Sequence, residues 1–387
     1  MSLKYRQTFA YYAIFIVLGI NGAILGPALS TLAAHTGSTL SAISIVFTAG
    51  STGRFLGALL GARLYDRVRI GHRVMAFGLA AMALGLIAAP LAGLLAVLVA
   101  VSAFQGFSET LVDVGGNTLL VWAHGTGVAP FMNGLHFMFG VGTFIAPFII
   151  AQSLGSSGDV SPGYFVAAAL VLPVLLLVLR LPSPAPEHHA SQNTAGSVSV
   201  GMTMLLAAVF FLMVGVEMGY GNWSFNYGTA HGMNTNDAAV LASTFWGFFT
   251  LGRLISIPIA TRVQPKTYLI LDMAGILLGT LIVLMWPALP WIGMGVVGLS
   301  VASVFPTLMS FAEQRMTITG KVTGIFLAAS NLSGMTMPWL IGQFFESRGP
   351  ITLPVVMLAA SVMALVALVV LLRMNDKKTE DERLETA

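Results

Sequence analysis

Long apolar runs broken by short polar turns set the pattern of this chain. Twelve runs come close to the roughly 20 residues that a helix needs to cross a bilayer. They lie at 8–30, 39–62, 73–90, 93–122, 129–153, 162–182, 201–226, 236–262, 267–286, 289–314, 320–345 and 350–373. The pattern predicts an all-α membrane protein with twelve transmembrane helices. The thinnest division, Pro90 to Gly93, parts the third helix from the fourth. The first run follows Lys4 and Arg6, as in a signal peptide. Its span from Phe9 to Leu32 exceeds a signal peptide's apolar segment, so it reads as a retained helix.

The polar positions give these helices a direction. With the N-terminus in the cytoplasm, that side receives Lys4, Arg6, Arg63, Arg67, Arg69, Arg73, Arg180, Arg262, Lys266, Arg315, Lys321, Arg373, Lys377, Lys378 and Arg383. The outer side receives Arg348, and Arg54 and Arg253 fall inside helices. One helix more or fewer would scramble this positive-inside pattern. A polar stretch from Pro182 to Val200, rich in Ser and Pro, divides the chain near its middle; its His188 and His189 read as solvated linker rather than as a metal tract. The expected organisation is an N-terminal six-helix bundle over 1–182, a cytoplasmic linker over 183–200, a C-terminal six-helix bundle over 201–373 and a cytoplasmic tail over 374–387.

The two sets of six echo each other. Gly53-Arg54 is followed by Arg63, and Gly252-Arg253 by Arg262 at the same distance; Gly19-Ile20-Asn21 matches Gly215-Val216-Glu217, and Gly142 with Pro147 matches Gly334 with Pro338. Two pseudo-symmetric bundles of this kind suit rocking about a site near the bilayer midplane. Composition agrees: 56% of residues are hydrophobic and 9% charged, against about 25% charged in a soluble domain. Cysteine is absent, which excludes disulfides, thiolate catalysis and Cys-type zinc sites. The net charge of +3 forms no basic stripe, so nucleic acid is not an expected partner.

Ionisable groups inside a bilayer are costly and are candidates for function. Glu109, Asp113 and Asn117 are spaced four apart on helix four and drift by about 40° per step, so they share one face. Two carboxylates one turn apart in apolar surroundings repel each other, which favours one of them holding a proton. Arg54, at matching depth on helix two, is the expected counter-ion of Asp113, and Arg253 repeats its position, as a structural arginine would. On helix seven, Glu217 stands near Tyr220, Asn222, Trp223 and Asn226; carboxylate and amide groups suit hydroxyls, and a flat aromatic face suits the C–H side of a sugar ring. His136, Gln105, Trp246 and Asn331 are further cavity candidates. No second ligand stands at metal spacing from His136. Asp66, Arg67 and Arg73 are expected to close a cytoplasmic gate.

The loop after helix two, Arg63-Leu-Tyr-Asp66-Arg67-Val-Arg69-Ile-Gly71-His72-Arg73, resembles the signature of the major facilitator superfamily, in degenerate form. Within it the chain resembles the fucose–glucose–galactose symporters and the sodium-dependent glucose transporter-like proteins. Three segments carry this likeness: Leu18-Gly19-Ile20-Asn21-Gly22 through Pro27, Asp113-Val-Gly-Gly-Asn117, and Leu135-His136-Phe137-Met138-Phe139-Gly140 through Pro147. The resemblance implies ion-coupled symport of a sugar or similar small polar solute, with Asn21, Asn117 and His136 among the substrate contacts. Gly22 stands where the fucose-type group carries a proton-moving aspartate, which leaves Asp113 with Glu109 as the coupling site. Protons are favoured over sodium, because no compact set of converging oxygens is visible beyond helix four. A proton-driven exporter of drugs or metabolites is the alternative. The chain is not expected to be an enzyme or to need a cofactor. It is read as a monomer in a prokaryotic inner membrane, with both termini cytoplasmic.

Overall fold

The computed structural model describes residues 2–67, 71–184, 200–316 and 318–385, with the side chains of Ala62, Asp66, Arg67, Thr126 and 374–385 outside that description. The described residues form α1 (Leu3–Ala23), α2 (Leu25–His35), α3 (Leu40–Ile43), α4 (Ile45–Arg67), α5 (Gly71–Ala88), α6 (Leu95–His124), α7 (Ala129–Ser157) and α8 (Ser161–Leu179). The second half holds α9 (Val200–Ala230), α10 (Thr235–Ala260), α11 (Pro265–Met285), α12 (Pro290–Val301), α13 (Val304–Glu313), α14 (Gly320–Arg348) and α15 (Thr352–Glu385).

Two of the expected helices are broken, each by a proline. Pro27 has no N–H to offer the carbonyl of Ala23, and the first span bends by 47° between α1 and α2. Pro306 stands in the same relation to Ala302, and the tenth span parts there into α12 and α13. By length and apolarity ten helices qualify as membrane spans, and the bent pair α1–α2 makes an eleventh. The 29-residue α14 has the length of a span, but Ser330, Asn331, Ser333 and Thr336 interrupt its apolar run. The described residues thus give ten or eleven spans by these measures, and the expected twelfth would be α14. At the C-terminus, α15 continues to Glu385, past the expected end at 373. Most of the expected linker, 185–199, lies outside the described residues.

Phe77, Leu84, Leu172, Met285 and Val366 are exposed on the outer faces of the helices. So much exposed apolar surface needs lipid as its solvent, and the protein is a multi-pass membrane protein. Packing between helices relies on small residues that let backbones approach. A Cβ on Gly53 would run into the carbonyl oxygen of Ala103, and one on Gly106 into that of Gly50, so α4 lies directly against α6. The second half repeats the device: Gly252 meets the carbonyl of Leu299 and Gly298 that of Phe245, which joins α10 to α12. The Gly-Arg echo in the sequence thus marks one packing solution used twice.

The halves of the chain meet at the end that carries the turns at 36–39 and 349–351. There the Leu40 N–H donates to Glu346 Oε1 (2.7 Å), and Ser41 Oγ donates to Gln343 Oε1 (2.9 Å). Gln343 Nε2 donates back to the Ser41 carbonyl (3.0 Å), and Thr48 Oγ1 to that of Met335 (2.8 Å). Asn226 on α9 donates to the Gly26 carbonyl and accepts from Ser30 Oγ, both at 2.8 Å. Deeper in, Ser243 Oγ on α10 donates to the Phe144 carbonyl on α7 (2.9 Å).

Candidate functional site

Below this zipper the helices part around adjoining cavities of about 740, 660 and 370 Å³. Glu217 borders all three. The cavities continue to Asn133, Val263, Pro265 and Ser310, near the opposite ends of α7, α10, α11 and α13. The space is therefore sealed by hydrogen bonds at one end and extends toward the other.

The Gly53–Gly106 approach sets the first cluster. It slides α4 along α6 until Arg54 faces Glu109, with Nε donating to Oε1 (3.2 Å) and Nη2 to Oε2 (3.3 Å). Asn21 of α1 adds a donor to Glu109 Oε2 at 2.9 Å, and Gln105 donates to Asn21 Oδ1 at 3.3 Å. All four side chains border the smallest of the three cavities. The arginine's carboxylate partner is thus Glu109, not the expected Asp113. Asp113 borders the 660 Å³ cavity one turn away and takes a hydrogen bond from Asn117 Nδ2 (3.1 Å). Asn117 also donates to the Asp113 carbonyl (2.9 Å) and borders none of the three cavities, so it is not placed as a substrate contact.

A second cluster faces the first from α7, α9 and α10. His136 packs edge-on to Phe15, with ring centroids 5.9 Å apart, and borders the two larger cavities. Arg253 borders the same two and lies over the Phe249 ring at 4.7 Å. Its Nε and the Trp246 Nε1 are buried with no hydrogen-bond partner among the described residues. Arg253 and Glu217 border the same two cavities and form no ion pair within 4 Å. Asn222 and Asn331 complete the polar wall. The result is a set of acids, cations, amides and an indole N–H, several without protein partners, around a space large enough for a small solute. Among the described residues no group of three His, Cys, Asp or Glu is placed to hold a metal ion.

Trp223 is a correction to the expected substrate wall. It is fully buried between Phe47 and Phe345, and its Nε1 donates to the Pro338 carbonyl at 3.0 Å. Tyr220 and Asn226 are likewise used in packing, through Thr280 and Gly26. Of the expected gate, Arg73 is exposed in the first turn of α5, while the Asp66 and Arg67 side chains lie outside the described residues. Sequence reasoning passed over Thr250 and Ser330, which border the cavities, and Asp272, a buried acid on α11. A lone acid within the ninth apolar run was the available signal for Asp272.

The sequence profile described as Major Facilitator Superfamily matches residues 11–338. Sodium-dependent glucose transporter 1A of Mus musculus is 30% identical over 373 residues, covering 86% of this chain and 88% of the relative. Among solved structures, the nucleoside transporter NupG has a TM-score of 0.73 at 16% identity, covering 97% of this chain and 99% of that one. The D-xylose-proton symporter has a TM-score of 0.74 at 13% identity, covering 94% and 97%. At these identities the two structures speak for a shared fold.

Proposed function

Because this chain belongs to the Major Facilitator Superfamily of transporters, we propose that its cavity carries a sugar or a similar small polar solute across the membrane by alternating access, as an ion-coupled symporter. The observation that carries this reading is the convergence of Glu217, His136, Asn21, Gln105, Asn222 and Trp246 on one cavity system between the halves. Acceptors and donors left without protein partners suit a solute with many hydroxyls, and the Trp246 Nε1–H is one such donor. The printed name of the mouse relative, a glucose transporter, supports the same solute class. A lipophilic drug would leave Glu217, His136 and the Trp246 N–H unpaired at a cost of about 1–3 kcal/mol each, which disfavours export of such cargo.

Coupling is assigned to Glu109 and Asp113, with a proton as the ion. The Arg54 side chain engages Glu109 and leaves Asp113 with one amide donor in a water-accessible wall. The relative's name points to sodium instead, and proteoliposomes decide between the two. An inward proton gradient imposed without sodium is expected to drive sugar uptake, and Asp113→Asn to abolish accumulation while preserving exchange of labelled for unlabelled solute. Uptake driven by a sodium gradient alone would reassign the ion. Both termini are placed in the cytoplasm, so the zippered end faces outward and the cavity faces in. Glu217→Gln removes a charge and keeps the volume; solute affinity should fall about tenfold, or about 1.4 kcal/mol, with normal expression. Unchanged binding would move the solute off α9.

A further inference from the structure

An ionisable group that the coupling scheme does not use lies in the second half. Asp272 on α11 is 4% exposed. Ser303, at the break between α12 and α13, places its hydroxyl oxygen 2.9 Å from each of the two carboxyl oxygens. A serine hydroxyl has one proton to donate and lone pairs with which to accept. Facing an ionised carboxylate, it serves one oxygen well and leaves the other without a donor. Facing a carboxylic acid, it donates to one oxygen and accepts from the other, and both contacts are made.

Among the described residues no cation is placed to offset a negative charge there. The helices packed most closely on α11 are α12, α15 and α13. α12 has no ionisable residue, α13 has Glu313 at its last position, and the first ionisable residue of α15 is Arg373. On α11 itself the other titratable groups are Lys266, in the first turn, and Tyr268. Tyr268 stands one turn before Asp272, comes near Ser303 and Asp272 without a hydrogen bond to either, and borders the largest cavity beside Pro306 and Thr307. The Tyr268 hydroxyl thus lies between the Ser303–Asp272 pair and the water-accessible wall, one short gap from a continuous line.

We propose that Asp272 is a second proton-binding site, whose proton exchanges with the cavity through Ser303 and Tyr268 and ties α11 to the break between α12 and α13. On release, the Ser303 hydroxyl turns its own proton from Asp272 toward Tyr268, accepts the carboxyl proton and gives up its own through Tyr268 to cavity water, each hydroxyl taking one proton and giving up another. The carboxylate left behind has lost one of its two contacts to Ser303, which loosens α11 from the break. This site stands apart from Glu109 and Asp113 and does not depend on the solute or the coupling ion.

The test is infrared spectroscopy of the full-length protein in lipid nanodiscs, following the C=O stretch of protonated carboxyl groups from acid to alkaline pH. The expected band is lost reversibly as pH rises, survives in Glu109→Gln/Asp113→Asn, is missing from Asp272→Asn and changes frequency in Ser303→Ala. If Asp272→Asn fails to fold, the Ser303→Ala shift identifies the band instead. In heavy water the band of Tyr268→Phe should shift more slowly than that of the wild type. A band absent at every pH, or one that never titrates, overturns the site; equal exchange in Tyr268→Phe overturns the route. The spectra need neither solute nor gradient, so an error in the proposed transport leaves this result untouched.

Discussion

At the scale of single residues, the first cluster turns on which acid Arg54 meets. Both oxygens of Glu109 accept from its guanidinium, so removing the arginine leaves Glu109 with the Asn21 amide alone. Arg54→Ala is expected to cost about 2 kcal/mol of stability, in the middle of the range for an unpaired polar partner, since Arg54 is 35% exposed and part of its charge is solvated. Adding Glu109→Gln should restore thermal stability of the detergent-solubilised protein, whereas adding Asp113→Asn should not. The reverse pattern would return the arginine to Asp113. Outside the membrane, Asp159 bonds His35 at 2.7 Å and accepts from the Ser161 N–H at 2.6 Å. Burial presses its carboxyl upward, but the bonds from Ser161 and the charge and bond of His35 outweigh this and hold it below the ordinary carboxylate range. A depressed folded value stabilises the fold above the unfolded value of about 4, and that contribution is lost as pH falls through the folded value. Wild type should therefore melt above Asp159→Asn at neutral pH, with the gap closing in acid.

At the scale of elements, the closest helix contacts rest on glycines that admit no side chain. Gly53→Val would drive two methyl groups at the Ala103 carbonyl, and overpacking of this kind costs about 1–3 kcal/mol or more. The expected result is a sharp loss of folded protein in fluorescence-detected size exclusion, matched by Gly252→Val in the other half. If Gly252→Val is tolerated, the two contacts are not equivalent. These glycines also explain what was legible in the sequence. Apolar runs, the linker and the repeated Gly-Arg pair could be read directly, because span length and backbone approach are written in residue type. The partner of Arg54 could not be read, because it depends on how far α4 slides along α6, which the Gly53–Gly106 contact sets in space. Trp223 was misread for an angular reason. Six residues beyond Glu217, at about 100° each, it points about 240° round the helix and away from the cavity. The breaks at 24 and 302–303 were equally hidden, since proline is common within membrane helices and a bend depends on the surrounding packing.

At the scale of the whole molecule, the zippered end is a set of hydrogen bonds between the halves, and most of them use neutral side chains. Each contributes about 1 kcal/mol net, enough in sum to hold the halves together and small enough to be undone in a transport cycle. Because the chain has no native cysteine, Ser41→Cys with Gln343→Cys gives a clean pair for a thiol cross-linker. The bridged protein should lose transport and keep solute binding, measured by uptake and by thermal shift respectively. Full transport after cross-linking would mean that this end does not open.

The charges that border the cavities bring in the membrane potential. Arg54 and Arg253 stand against Glu109, Asp113 and Glu217. If a single proton is the coupling ion, as proposed, the empty carrier with all three acids ionised bears one excess negative charge and the loaded carrier bears none. A voltage acts on charge at about 2.3 kcal/mol per elementary charge per 100 mV. It therefore leaves the loaded, neutral carrier alone and works on the unloaded one. With that ion and with the termini in the cytoplasm, an interior-negative potential would push the excess negative charge outward and return the empty site to the outer face, and the cell's electrical gradient would then act on resetting the carrier.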